Sequence, residues 1–319
     1  MKKLMSLAVL VLLIFVFAQE QSSADTAGDP ASDSEKRLIV IDSSGGTQSG
    51  NLRKGPIYYE HPDPEGIQAT VSTLSIFAQK AELRTPDDAT DLTLTEAKGR
   101  RIATFSEGVR VTRGRLEATG PLLAYSEETG IGLLREDVNI TVAPKDDESE
   151  PVYITATEAE FDVDTDTSIS RGNVKLDNGN QQAEADEMEY EEERTLGVLS
   201  CTEQQCIITR EDVDGKILTI TANNIRVLTD QKKLHALGDV TVVDGSITST
   251  GDEVFFDDEA GLAEVIGNPA EAVDSDAGTT VSGARLQQDI EYDVVEPMND
   301  AQPSAFTAND FLLTREQEQ

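Results

Sequence analysis

The sequence predicts an all-β fold, an elongated open β-jelly roll or solenoid of stacked antiparallel strand pairs. Three observations lead there: short segments in which apolar and polar residues alternate, turn signals between those segments, and a unit that recurs along the chain.

The alternation is legible in place. Val109 and Val111 flank Arg110, and Val138, Ile140 and Val142 alternate with Asn139 and Thr141. Ile154 and Ala156 flank Thr155, Val174 and Leu176 flank Lys175, Ile220 and Ala222 flank Thr221, and Val240 and Val242 flank Thr241. Side chains two apart on a strand share a face, so each segment offers one apolar face and one polar face. Outside the N-terminal apolar run, no window of useful length carries a helical stripe.

The repeat joins an Ala-containing segment ending in an aromatic or Val and an acid, a turn, and a Gly-x-Val-x-apolar segment. One copy runs through Ile154, Ala156 and Phe161 to Gly172, Val174 and Leu176; another passes from Ala185 through Met188 and Tyr190 to Cys206. A third takes Ile220, Ala222, Ile225 and Val227 to Gly238, Val240 and Val242, and a fourth takes residues 248–256 to Gly267. The anchors Tyr125, Phe161, Tyr190, Val227 and Phe255 fall alternately about 36 and 29 residues apart, a period of about 65 for two units. One strand pair cannot bury a face by itself. Stacked units can, and they enclose a continuous apolar interior between two sheets. Its mid-sized lining fits either a sealed core or an open trough.

Organisation along the chain follows. Met1-Lys2-Lys3 and the apolar residues 4–18 have signal-peptide form, with small residues ending at Ala18; the alternatives are cleavage there and a retained anchor. Residues 19–36 read as a disordered linker, residues 37–296 as the β body in one or two repeated modules, and residues 297–319 as a tail. Within that tail, residues 305–314 are a possible last strand and residues 316–319 read as disordered.

The chain has 319 residues and a formal charge of −35, which repels nucleic acid and anionic membrane surfaces and favours solubility or a basic partner. Cys201 and Cys206 flank a four-residue turn, where a disulfide would staple a hairpin in an oxidising compartment; two free thiols are the alternative. Two histidines, His61 and His235, are too few for a His-based triad or a zinc site. No nucleotide-binding or nucleophile-elbow motif occurs. Residues 162–173 begin like a calcium loop, but Thr167 stands at its sixth position and Asn173 at its twelfth, so an acidic turn is expected. No catalytic residue, metal or cofactor is implied, and the chain is expected not to be an enzyme.

With these units in view, Ala185-Asp186-Glu187-Met188-Glu189-Tyr190, Leu237-Gly238-Asp239-Val240-Thr241-Val242 and residues 108–125 resemble the pattern of the OstA/LptA-like family. That family includes the periplasmic lipopolysaccharide-transport protein, its inner-membrane-anchored partner and the N-terminal domain of the outer-membrane translocon. The resemblance implies an open, twisted β-jelly roll that holds lipid acyl chains in its interior slot. It also implies head-to-tail association through edge strands, with copies of itself or with other envelope jelly-roll proteins. The expected function is therefore periplasmic transport of lipopolysaccharide or a related lipid; a structural β-solenoid with a closed core and an anchored partner protein are the alternatives. Expected groove-lining residues are Val109, Val111, Val138, Ile140, Ile154, Ala156, Phe161, Val174, Leu176, Met188, Ile220, Ala222, Ile225, Val240 and Val242. The strong acidity implies contact through acyl chains, with the head group left in solvent.

Overall fold

Alternating segments joined by short turns pair with their neighbours in sequence, and the result is an antiparallel meander. In the computed structural model, which describes residues 35–144, 150–211, 215–299 and 304–317, the strands form one 21-stranded sheet. The expected signal peptide and nearly all of the expected linker lie outside these residues.

The early strands are short: β1 (Val40–Asp42), β2 (Thr47–Gly50), β3 (Ile57–Glu60), β4 (Ile67–Val71), β5 (Leu74–Ala78) and β6 (Lys80–Arg84). Six long strands follow: β7 (Ile102–Arg113), β8 (Leu116–Ser126), β9 (Ile131–Val142), β10 (Val152–Asp162), β11 (Thr167–Asn178) and β12 (Gln181–Glu191). Next come β13 (Leu196–Ser200), β14 (Cys206–Glu211), β15 (Ile217–Ala222) and β16 (Asn224–Leu228). The sheet ends with β17 (Lys233–Asp244), β18 (Ile247–Asp257), β19 (Leu262–Asp274), β20 (Thr279–Asp289) and β21 (Val294–Pro297).

Each long strand takes part in a ladder whose register shifts near its middle. The register shifts between Ser106 and Val109 on β7, between Arg171 and Val174 on β11, and between Leu237 and Val240 on β17. At these points two consecutive residues take positive φ: Glu107 and Gly108, Gly172 and Asn173, Gly238 and Asp239, with Glu136 and Asp137 doing the same on β9. The next residue is always a buried valine, Val109, Val138, Val174 or Val240. The Gly-x-Val signal in the sequence is therefore a bulge followed by its core plug. At Gly172 the requirement is double, because φ is +79° and a Cβ would lie 2.7 Å from the Thr157 hydroxyl oxygen.

Short strands are halves of interrupted rungs. β5 and β6 both pair with β7, and β13 and β14 both pair with β12. The Cys201–Cys206 disulfide closes the interruption between β13 and β14. The expected hairpin there is corrected: β13 pairs with β12 and β16, and β14 pairs with β12 and β15, so neither has an edge left for the other.

The row of bulges divides the sheet into two arms. Arm A holds segments such as 187–191 and 253–257, and arm B holds 181–185 and 247–251. Inward-facing side chains of both arms form one apolar cluster that runs from Ile39 to Ile290. A second cluster lies on the outer side of arm A, where Leu196, Val198, Leu228 and Phe255 meet Phe311 and Leu313 of the tail. The tail is a correction to the expected last strand: among the described residues it is a 3-10 turn (Ala308–Phe311) and a single helical turn (Thr314–Gln317). Its apolar residues recur at Phe306, Phe311 and Leu313, which suits anchoring on a surface better than alternation across a sheet. Glu316 and Gln317 belong to that helical turn; residues 318–319 of the expected disordered end lie outside the described residues.

Candidate functional site

All fifteen residues expected to line a groove point inward. Fourteen are buried in the continuous cluster, and Leu176 packs against it half-buried. The two arms meet at the bulges, so side chains close to that line, such as Val138, Ala156, Val174, Ala222 and Val240, fill the vertex. Space opens farther out, toward the strand tips in the middle of the sheet, as a cavity of about 290 Å³. Its arm B wall is made by Val142, Val152, Ile208, Leu218 and Ile220, and its arm A wall by Tyr190, Val227, Leu234 and Phe256. An adjoining recess is lined by Leu176, Ala183, Met188 and Leu199.

Of the expected residues, Ile220 therefore lines the cavity and Leu176 and Met188 line the recess, whereas the other twelve contribute to closed core. Sequence reasoning missed Val142, Val152, Ile208, Leu218, Val227, Leu234 and Phe256. The signal was present: Val142 lies four residues beyond the bulge valine Val138, on the same face. Val142 at the strand tip lines the cavity, whereas Val138 beside the bulge is core.

The open volume does not run the length of the molecule. Toward the N-terminus, Phe105, Tyr125, Leu134 and Phe161 fill the space between the arms and are fully buried. Toward the C-terminus the interior turns polar. Ser249 donates to Gln288 at 2.7 Å, both fully buried, and Lys216 lies 2.8 Å from the buried Asp244 and 2.5 Å from Asp293. Burial pushes the Asp244 carboxyl above its ordinary range, against the opposing effect of Lys216. Of the two interiors the lining allows, sealed core and open trough, the described residues form closed core toward both ends and a bounded cavity between them.

Charged side chains surround the mouth. The chain carries 61 acids against 26 lysines and arginines, yet the cavity rim brings together Arg115, Arg210, Lys232 and Lys233 with only Glu150, Asp230 and Asp258. Among the described residues the rim is thus close to charge balance. Among the described residues, ion pairs cross from one arm to the other: Arg113 with Glu192 at 3.5 Å, Arg210 with Asp258, and Lys216 with Asp293. Burial raises the Asp258 carboxyl and lowers the Arg113 guanidinium, in each case against the partner's field. No group of His, Cys, Asp and Glu among the described residues is arranged to hold a metal ion. The acidic turn after β10 is used structurally: Arg37 pairs with Asp164 at 2.5 Å, and Thr73 donates to Asp166 at 2.7 Å. No helix among the described residues is long and apolar enough to cross a membrane.

The sequence family described as "LptA/(LptD N-terminal domain) LPS transport protein" matches residues 153–293, which contain most of both cavity walls. No curated protein matches the chain. Among solved structures the chain is similar to LptH from Pseudomonas aeruginosa, described as the LptA homologous periplasmic component of the conserved lipopolysaccharide transport device. Identity is 16%, the match covers 36% of this chain and 80% of that one, and the TM-score is 0.32.

Proposed function

We propose that the chain, whose residues 153–293 match the LptA/LptD N-terminal family of lipopolysaccharide-transport proteins, carries lipopolysaccharide or a related lipid by holding acyl chain in the cavity between its arms. The observation that carries this reading is the cavity itself, with apolar residues on both walls and an open mouth. No bond is made or broken. Transfer from water into the cavity is favourable by roughly 0.8 kcal/mol per buried methylene, so a chain that enters has a path other than water. At about 30 Å³ for a water-sized group, the 290 Å³ cavity takes on the order of ten methylenes. One acyl chain, or part of one, is held at a time. Arg115, Lys232 and Lys233 at the rim support a phosphate-bearing head group resting at the mouth instead of lying free in solvent.

The rest of the reading concerns context. The protein acts in the periplasm after export, with cleavage following Ala18; the mass of the mature N-terminus tests this against a retained anchor. Two fused modules, before and after about residue 150, share one sheet, which the recurrence of the Val109 and Val138 bulges in the first half supports. The exposed segments of β1 and β2 at one end and of β20 at the other offer edges for head-to-tail pairing with a second copy or another envelope jelly roll.

A photo-crosslinking residue placed at Leu176 or Val227 in cells is expected to capture lipid. One at Val111, in the closed core, and one at Lys175, on the surface, are not. Equal capture from Lys175 would sink the groove reading and favour the closed-core structural protein.

A further inference from the structure

The wall of the cavity in arm A has a second layer behind it. Strand alternation puts cavity and recess residues on one side of the sheet, Met188, Tyr190, Leu199, Val227 and Phe256. Their sequence neighbours on the other side, Glu189, Glu191, Val198, Leu228 and Phe255, all contact the tail or the apolar cluster it completes. In arm A, β12, β13, β16 and β18 therefore face the cavity or its recess on one side and the tail or its cluster on the other.

This grip is specific. Phe311 and Leu313 are buried, and Phe311 and Phe306 pack around Phe255, with ring centroids 6.0 and 5.3 Å away. Arg194 donates to the Asp310 carbonyl at 2.7 Å and to that of Leu312. Arg226 donates to the Phe311 carbonyl at 2.9 Å and, through both terminal nitrogens, to the Glu316 carboxylate at 2.5 and 2.9 Å. Arg315 pairs with Glu189, and the Thr314 amide donates to Glu191. Main-chain capture by two arginines, two apolar anchors and a bidentate ion pair amount to a peptide site, filled by the chain's own residues 304–317. All of them lie beyond the family match, which stops at 293.

We propose that docking of this tail and occupancy of the cavity are positively coupled, so that the tail acts as a built-in effector of lipid binding. This rests on the cavity being the acyl site. The physical cause is conformational entropy: a wall already held by the tail loses less freedom when a chain packs against it. Coupling is reciprocal, so a bound chain tightens the tail's hold to the same degree.

The test uses the full mature chain and its F311A/L313A variant, with a fluorescent acyl probe and hydrogen exchange on β12, β13 and β16. The variant is expected to bind the probe on the order of tenfold more weakly, mainly through faster dissociation, and to lose protection in those strands. A synthetic peptide of residues 304–317 added to the variant is expected to restore both. Tail release with unchanged probe affinity overturns the coupling and leaves the acyl site standing. Absence of probe binding to the wild-type chain overturns the acyl site itself; in that case, restored strand protection on peptide addition still supports the tail's hold on the wall, and unrestored protection removes that too. If F311A/L313A fails to fold, E316Q with Arg226 intact repeats the comparison.

Discussion

A single carboxylate, Glu127, ties three separate segments together. Fully buried at the start of the β8–β9 turn, it accepts from the Ile39 and Gly99 amides at 3.0 and 2.9 Å and from the Arg101 side chain at 2.5 and 2.8 Å. Removing one partner of a buried pair leaves the other charge uncompensated. Glu127→Ala is therefore expected to destabilise the protein by about 3 kcal/mol, seen as a lower urea midpoint at unchanged slope. Glu316 makes a prediction in pH. Hydrogen bonds from Arg226 hold its carboxyl down to about 2, from an ordinary 4.5. A depressed folded-state value contributes stability above the unfolded value and loses it as pH falls toward the folded one. The stability difference between wild type and E316Q is thus expected to be full above about pH 4.5 and to vanish near pH 2; a difference that persists at pH 2 would show that the ion pair is not its source. The same position was silent in the sequence. Glu316 is one acid among 61, and only the fold brings Arg226 across a sequence separation of 90 residues to it.

Strands that are bent, broken or backed account for most of the distance between expectation and structure. Alternation at 138–142 correctly marks an inward face, but it does not distinguish Val138 at the vertex from Val142 at the cavity, because both satisfy the same period. The Cys201–Cys206 loop reads as a turn since turns and bulges draw on the same polar residues; which neighbour each flanking strand pairs with is decided at long range. Because β12, β15 and β16 hold both sides of that break, C201S/C206S is expected to cost about 2 kcal/mol by loop entropy while strand register is kept. Thermal unfolding gives the cost, and amide exchange in β12 checks the register. In the tail, Phe311→Ala empties a buried site between Leu196 and Phe255 and is expected to cost about 3 kcal/mol, measured by urea unfolding. A cost below about 1 kcal/mol would mean that the tail is only loosely held.

Taken together, the molecule is a long, acidic, two-armed sheet. Its charge of −35 sets repulsive interactions along the whole length, whereas the ion pairs between the arms act locally. Screening weakens both, and at moderate salt the diffuse repulsion of exposed charge is lost more than the partly buried pairs. Raising salt from about 0.01 to 0.15 M, where the Debye length falls from about 30 to 8 Å, is expected to raise the melting temperature; a fall would mean that the pairs between the arms dominate.

By itself the sequence determined the class of the fold and the inward face of the alternating segments, because strand period is a local property of the backbone. It also carried the repeat behind the family resemblance. Only the tertiary structure decided that the interior is a bounded cavity instead of an uninterrupted trough. It alone paired the broken strands and laid the tail against the outer wall. These depend on how far two arms splay and on which residues meet across more than a hundred positions, as Arg194 meets Leu312, and no local pattern encodes either.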